Sequence, residues 1–434
     1  MNDASLWPSV VSLLIFVLTY LGIFVEKVHR AIIALAGAAA MIALGSWLSF
    51  YDTQDAVRAV DFDTITLLLA MMIIVGLFRQ TGFFQYLAVR AAQGAGGRPW
   101  LLLITLGLVT SLVSMVLDNV TTIIIIVPVT ISLADVLGIS AFPFVMAEVL
   151  LSNIGGAATL IGDPPNILIG SAAGFSFLDF LTHLAPIVLV VWVLSQALLL
   201  FLFRSMLRAR PATVDRLLAM DASRAIVDRR TTRRMLIVLG MTLALFFVHD
   251  AIALRPGLVA LIGASIGLLW IRPDFDRVLK EIRWDVLLFF ISLFVIVGAL
   301  DASGVIETIG RGVTILVDQG IYLAVIVVLW VGALASGIVS NIPFTIAFLP
   351  VLERLSAAGV PVAPLWWALA LGVGFGANLT PLGSAANVVV LSLSDSIGER
   401  LTFGRWLRTG TWVGLASCIV ATLALLAAME LGLL

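Results

Sequence analysis

The sequence predicts an all-α polytopic membrane protein made of two inverted repeats, with ten full transmembrane spans, two re-entrant helical hairpins and one broken helix per repeat. Three observations carry this. The 434 residues are 61% hydrophobic and 12% charged, with mean hydropathy +1.15, a balance typical of chains that live in lipid. Lys and Arg collect on alternate loops. The second half of the chain repeats the polar positions of the first.

Apolar runs of spanning length begin near Leu6, Ala31, Thr64, Trp100, Pro143, Phe180, Met235, Pro256, Trp284, Ile321, Pro364 and Trp406. With the Trp100 and Ile321 regions taken as hairpins, every basic residue falls on one side or the other. One side collects Lys27, Arg30, Arg79, Arg90, Arg98, the block from Arg204 to Arg234, Arg272, Arg277, Lys280, Arg283, Arg400, Arg405 and Arg408. The other keeps Arg58, Arg255, Arg311 and Arg354, so the 25 basic residues divide 21 to 4. The richer side is expected to be cytoplasmic and both termini outside, which suits a multi-pass protein of a bacterial inner membrane. Spanning pairs in place of the hairpins would leave that orientation unchanged. Met1-Asn2-Asp3-Ala4-Ser5 carries no basic residue, and the run from Leu6 to Val25 ends in Glu26-Lys27. A retained first span is expected there, not a cleaved leader. Trp7, Trp47, Trp100, Trp270, Trp284 and Trp406 lie near span ends, as an interfacial belt requires.

The one long polar connector, 208–234, reads as a linker whose charge sets topology; a nucleic-acid partner is not expected. It separates a first repeat, 1–207, from a second, 235–434. Asp63 pairs with Asp285, Gly76 with Gly298, Gly82 with Gly304, Ser114 with Ser336, Asn119 with Asn341 and Pro128 with Pro350, all at one offset. After a one-residue slip, Gly155 pairs with Gly376, Thr159 with Thr380, Gly162 with Gly383 and Asn166 with Asn387. Each half holds an odd number of spans, so the second enters the membrane from the opposite face. Inverted repeats with an interrupted helix in matching positions point to alternating-access transport at the bilayer midplane.

The interruptions carry the chemistry. From Ser152 to Asn166 the chain is polar and rich in Gly and Pro: Gly155-Gly156 permits a break, and Pro164-Pro165 removes two backbone donors. A broken helix is expected over 143–174, and another over 364–393 around Gly374 to Asn387. Hairpins are expected near 100–137 and 321–354, with tips at Asp118-Asn119-Val120-Thr121-Thr122 and Ser340-Asn341-Ile342-Pro343-Phe344-Thr345. Irregular backbone at membrane depth survives only where it lines a cavity or is buried in protein. The expected substrate-binding residues are Asn119, Thr121, Asn153, Thr159, Asn166, Ser340, Asn341, Asn378, Thr380 and Asn387. No island contains Lys, Arg or His, so a proton, a sodium ion or a neutral hydroxylated solute is favoured over a multivalent anion. Asp118, Asp163 and Glu148 are the expected proton-coupling residues, because desolvation disfavours a charged carboxylate and intramembrane acids are functional by default. A purely structural role, Asp163 capping a half-helix and Asp118 holding a hairpin tip, stands beside that reading.

At Asp118 to Thr122, Ala147 to Leu151, Asn153 to Asn166 and Gly376 to Asn387, the chain resembles the ArsB/NhaD branch of the ion transporter superfamily: arsenite and antimonite efflux proteins, sodium/proton antiporters and the melanosomal P protein. The resemblance covers nearly the whole chain and implies proton-coupled efflux of arsenite or antimonite. The Gly162-Asp163-Pro164-Pro165-Asn166 run is closer to the P protein type than to the enterobacterial arsenite pumps. Arsenite near neutral pH is an uncharged trihydroxide, and the lone Cys418 excludes thiol coordination. A sodium/proton antiporter, an anion transporter or a channel are the alternatives within transport. No cofactor is expected beyond the proton gradient or sodium. Partners are the small inorganic solute, its coupling ion and the lipid bilayer, with an arsenite-stimulated ATPase or a second copy of the chain as further candidates. An intramembrane aspartyl protease is disfavoured: Asp163 follows Leu160-Ile161-Gly162, and the second-half islands would be idle. No His-Glu-x-x-His motif occurs, and His29, His183 and His249 are isolated, so neither an enzyme nor a metal site is expected.

Overall fold

The computed structural model describes residues 7–25, 27–209, 211, 213–393 and 401–433. The expectations placed on Met1 to Leu6, Glu26, Arg210 and Arg400 lie outside the described residues. The first half runs α1 (Trp7–Val25), α2 (Arg30–Trp47), α3 (Thr53–Ala59), α4 (Phe62–Arg79), α5 (Phe83–Gly94), the hairpin α6 (Pro99–Ser114) and α7 (Asn119–Leu137), and the broken pair α8 (Phe142–Gly156) and α9 (Pro164–Ala173). It ends with α10 (Phe177–Asp179), which passes through a π turn at Phe180–Leu184 into α11 (Ala185–Leu202). After α12 (Val214–Ala219) in the connector, the second half runs α13 (Arg229–Val248), α14 (Pro256–Ile271), α15 (Phe275–Glu281), α16 (Trp284–Ala302), α17 (Val305–Gln319), the hairpin α18 (Ile321–Val339) and α19 (Asn341–Ala357), the broken pair α20 (Ala363–Gly376) and α21 (Ala385–Ser392), α22 (Phe403–Leu407) and α23 (Gly410–Glu430).

Element by element the second half repeats the first, down to the short α3 and α15. Local chemistry repeats too. Gly82 and Gly304 precede α5 and α17 at φ +75° and +82°, the left-handed region that a side chain resists. Asp61, Asp228 and Asp274 accept backbone N–H groups at the starts of α4, α13 and α15.

Among the described residues, nine helices are long and apolar enough to span a membrane. That set differs from the ten expected spans. It includes α7 and α18, one arm of each hairpin, and omits α14 and the broken helices. A broken helix divides its length between two segments, and α14 has 16 residues.

The halves interlock through matched contacts. α2 packs on α16 as α14 packs on α4, and α9 docks on α19 as α21 docks on α7. Within each half the hairpin lies against the broken helix, α6 on α8 and α18 on α20. Between two helices in lipid, close backbone approach and interhelical hydrogen bonds do the joining. Ser114 Oγ donates to Ser152 O at 2.8 Å, and Ser336 Oγ to Val373 O at 2.7 Å. A β-carbon on Gly155 would lie 2.7 Å from Ser111 O, and one on Gly376 would lie 2.3 Å from Ala333 Cα and O. The connector folds back on α5: Gln93 Nε2 donates to Met220 O at 2.6 Å and Val227 N to Thr81 O at 3.0 Å.

Gly376→Ala therefore forces α18 away from α20 and should destabilise the fold by about 1–3 kcal/mol. Gly312→Ala, where nothing lies within 4 Å of the added carbon, should leave stability unchanged. Thermal unfolding of the detergent-solubilised protein measures the difference; equal melting points would show that this helix pair does not require the close approach.

Candidate functional site

Both breaks solve the same backbone problem in the same way. Where α8 unwinds, carbonyls lose their helical partners far from water, and each orphan is costly. Asn166 Nδ2 donates to Thr159 O at 2.8 Å and Ala157 O at 3.2 Å. Its counterpart Asn387 donates to Thr380 O at 3.0 Å and Ala377 O at 2.7 Å. Thr159 and Thr380 tie each break to its hairpin, donating to Met115 O and Gly337 O, both at 2.5 Å. The amides of Asn166 and Asn387 and the hydroxyls of Thr159 and Thr380, expected to meet solute, thus brace the unwound chain.

Asn153 joins the halves. Its Nδ2 donates to Asn378 Oδ1 at 2.8 Å and Asn387 Oδ1 at 2.9 Å, and its Oδ1 accepts from Asn119 Nδ2 at 3.0 Å and Ser384 Oγ at 3.2 Å. Asn378 Nδ2 reaches back to Leu150 O at 3.1 Å. At the offset of the broken helices, Asn153 corresponds to Gly374 and Asn378 to Ala157. A β-carbon on Gly374 would lie 3.3 Å from Ala157 Cβ. Each large side chain at this crossing therefore has a small residue at its repeat position, and the two asparagines fill the shared space.

Asp118 and Asp163 meet in one chamber of about 50 Å³, lined also by Asn119, Pro164, Asn341, Arg30 and Arg283. Asp118 caps α7, accepting Thr121 N at 2.9 Å and Thr121 Oγ1 at 2.5 Å. Thr121 is thereby committed to the hairpin tip. Asp163 precedes α9 without capping it; Asn341 Nδ2 lies 3.3 Å from both of its carboxylate oxygens. A hairpin tip of the second half thus meets the broken helix of the first.

Arg30 and Arg283 correct the sequence expectation of a pocket without cations. The four islands do lack basic residues, but the N-terminus of α2 and the residue preceding α16 bring guanidiniums to their edge. Neither was distinguishable in the sequence from the other basic residues on that side, because only the α2 to α16 packing places them there.

Two larger cavities flank the chamber. One of about 360 Å³, lined by His29, Arg30, Arg283, Asp285, Ser340 and Ser384 among others, shares Arg30, Val120, Arg283 and Ala385 with it. Another of about 400 Å³ carries Asp61, Asp301 and Glu353. Ile167 and Ile342 line the chamber, whereas Leu168 and Ile346 line the acidic cavity, so a thin apolar layer separates the two. The chamber thus borders the arginine-bearing cavity, sharing wall residues with it and none with the acidic one. Ser384, a member of the fourth island not singled out in the sequence, is both a wall residue and a partner of Asn153.

Glu148 is not among the lining residues of these cavities. It is fully buried, accepts Thr130 Oγ1 at 2.5 Å on Oε1 and leaves Oε2 without a partner. At the repeat offsets its place is taken by Leu369 and that of Thr130 by Leu352.

Replacing Asn153 tests the junction. Asn153→Asp keeps the size but has no N–H for Asn378 and Asn387, so it should cost about 1–3 kcal/mol per unpaired group. A melting point that falls for Asn153→Asp and holds for Gln54→Glu, at an exposed position, is expected; equal stability of the two would remove the junction from the fold's energetics.

Comparison with known proteins places the family and the fold. Residues 20–372 match the family described as Citrate transporter, CitMHS. An uncharacterized transporter of Mycobacterium tuberculosis is 41% identical over 96% of this chain and 98% of its own. The human P protein is 33% identical over 94% of this chain, which spans 58% of that longer protein. The YdaH transporter of Alcanivorax borkumensis superposes with a TM-score of 0.62 at 15% identity, covering 98% of both chains, a likeness of fold. The chain thus belongs to the CitMHS citrate transporter family, within the ion transporter superfamily, and is a multi-pass membrane transporter, not an enzyme.

Proposed function

We propose that this protein is a secondary active transporter working by alternating access, in which Asp118 and Asp163 bind the coupling cation, a proton or a sodium ion. Its solute is a small oxyanion. The observation that carries this is the chamber where two carboxylates and two guanidiniums share a wall. Its volume suits an ion and one or two waters, since a water occupies about 30 Å³, and the 360 Å³ cavity beside it has room for an organic acid.

Charge supplies the coupling. With Asp118 and Asp163 ionised, these acids and Asp285 offset Arg30 and Arg283, and an arriving anion gains little. Loading the two acids with cations leaves Asp285 alone against two guanidiniums, which then attract the solute. By linkage, bound solute raises cation affinity by the same factor. The arginine-rich side is cytoplasmic on this reading, which leaves the site facing inward.

Proton-driven efflux of arsenite is the second reading. The Gly162-Asp163-Pro164-Pro165-Asn166 run and the Asn119 and Asn341 amides of the chamber favour it, and no thiol is needed. Here Asp118 or Asp163 takes a proton outside and releases it inside as the neutral trihydroxide leaves. Glu148, with its unpaired oxygen, would serve as a second proton carrier in either reading.

Proteoliposomes under imposed proton or sodium gradients, supplied in turn with citrate, succinate and arsenite, separate these readings. Gradient-driven flux that Asp163→Asn reduces at least tenfold, and that Arg283→Gln reduces for the carboxylates, is expected. Arsenite flux unaffected by Arg283→Gln would support the second reading, and wild-type gradient dependence in Asp163→Asn would overturn both.

A further inference from the structure

The two cradles have diverged in one direction. At the offsets that pair Asn119 with Asn341 and Gly162 with Gly383, Asp118 corresponds to Ser340 and Asp163 to Ser384. Each pair holds the same post. Asp118 and Ser340 precede α7 and α19, and Asp163 and Ser384 precede α9 and α21. The first-half cradle keeps two acids, and the second-half cradle has two hydroxyls.

Their surroundings differ as well. Ser340, Ser384 and Ala385 open on the 360 Å³ cavity with Arg30, Arg283 and His29. Asp285 shares that wall, 3.8 Å from Arg283 and 3.9 Å from His29, and offsets part of the charge. Ser340 sits at φ +88°, ψ 150°, a strained conformation for a residue with a side chain and one that concentrates at ligand sites. The start of α21 adds its positive helix end.

We propose that the halves have divided their labour: the first-half cradle takes the cation, and the second-half cradle takes an oxyanionic group of the solute, received by Ser340 and by the first turn of α21, which Ser384 caps, beside Arg30 and Arg283. This deepens the oxyanion reading above and rests on it. Exchanging two acids for two hydroxyls removes the negative charge that would repel an anion; the Ser340 hydroxyl adds a donor for its oxygens, while the Ser384 proton goes to Asn153 or Asn387. A duplicated binding frame thereby acquires two sites of opposite preference.

Thiol chemistry tests this without knowledge of the solute. Cys418, the chain's one cysteine, is fully buried, so Ser340→Cys and Ala385→Cys can be labelled over a silent background. The probes are the anionic sulfonatoethyl and the cationic trimethylammonioethyl methanethiosulfonates, each rate divided by that reagent's rate with free mercaptoethanol. Both cysteines should favour the anionic reagent at least tenfold, and Arg283→Gln should lower that preference severalfold. Equal rates, a cationic preference at 340 and 385, or no labelling at 340 and 385 would each overturn the proposal. The assay measures no transport, so a failure of cation coupling in Asp163→Asn is scored separately.

Discussion

A helix broken at membrane depth must find internal partners for the backbone groups it releases, and the rest of this structure depends on how that is done. In water the break would be hydrated at little cost. Among apolar helices each unpaired carbonyl costs several kcal/mol. The protein answers with one asparagine per break, Asn166 and Asn387, whose amides take over two carbonyls each at good distance. Thr159 and Thr380 then fix each break to its own hairpin. Because these contacts are duplicated, both halves meet with their tips already shaped.

The close approach that brings tips and breaks together comes from missing side chains. Gly155 and Gly376 let α8 and α20 rest on α6 and α18 at distances no β-carbon permits. Ser114 and Ser336 add one hydrogen bond to each contact. Across the halves, Asn153 and Asn378 occupy space that Gly374 and Ala157 leave open, so the junction is asymmetric in content though symmetric in backbone. That asymmetry lets one frame hold unlike groups: two acids on one side and two hydroxyls on the other.

Access follows the same logic. The chamber holding Asp118 and Asp163 shares wall residues with the arginine-bearing cavity, and apolar residues at Ile167 and Ile342 lie between it and the acidic one. The helices carrying them, α9 and α19, dock on each other across the repeat boundary, as do α21 and α7 on the opposite side. In an inverted repeat the two contacts are alternatives of one another, so a rearrangement that loosens one can tighten the other, which is what alternating access requires.

The sequence by itself determined the helical class, the two halves, the breaks at Gly155-Gly156 and Gly376, the hairpin tips and the pairing of Asn119 with Asn341. Composition, spacing and backbone chemistry are local properties, written one residue after another. Asp118, Asp163 and Asn341 were also visible as polar residues in apolar runs, where a membrane makes them conspicuous. Which hydrogen bonds those residues spend, and on what, was not visible: Thr159, Asn166, Thr380 and Asn387 serve the backbone, Thr121 is spent on Asp118, and Glu148 sits apart with Thr130. Only the tertiary structure brought Arg30 and Arg283 to the acids, because that contact depends on packing α2 against α16, helices separated by most of the chain. The sign of the field in a binding cavity is a sum over neighbours in space, and neighbours in space are what a linear order does not contain.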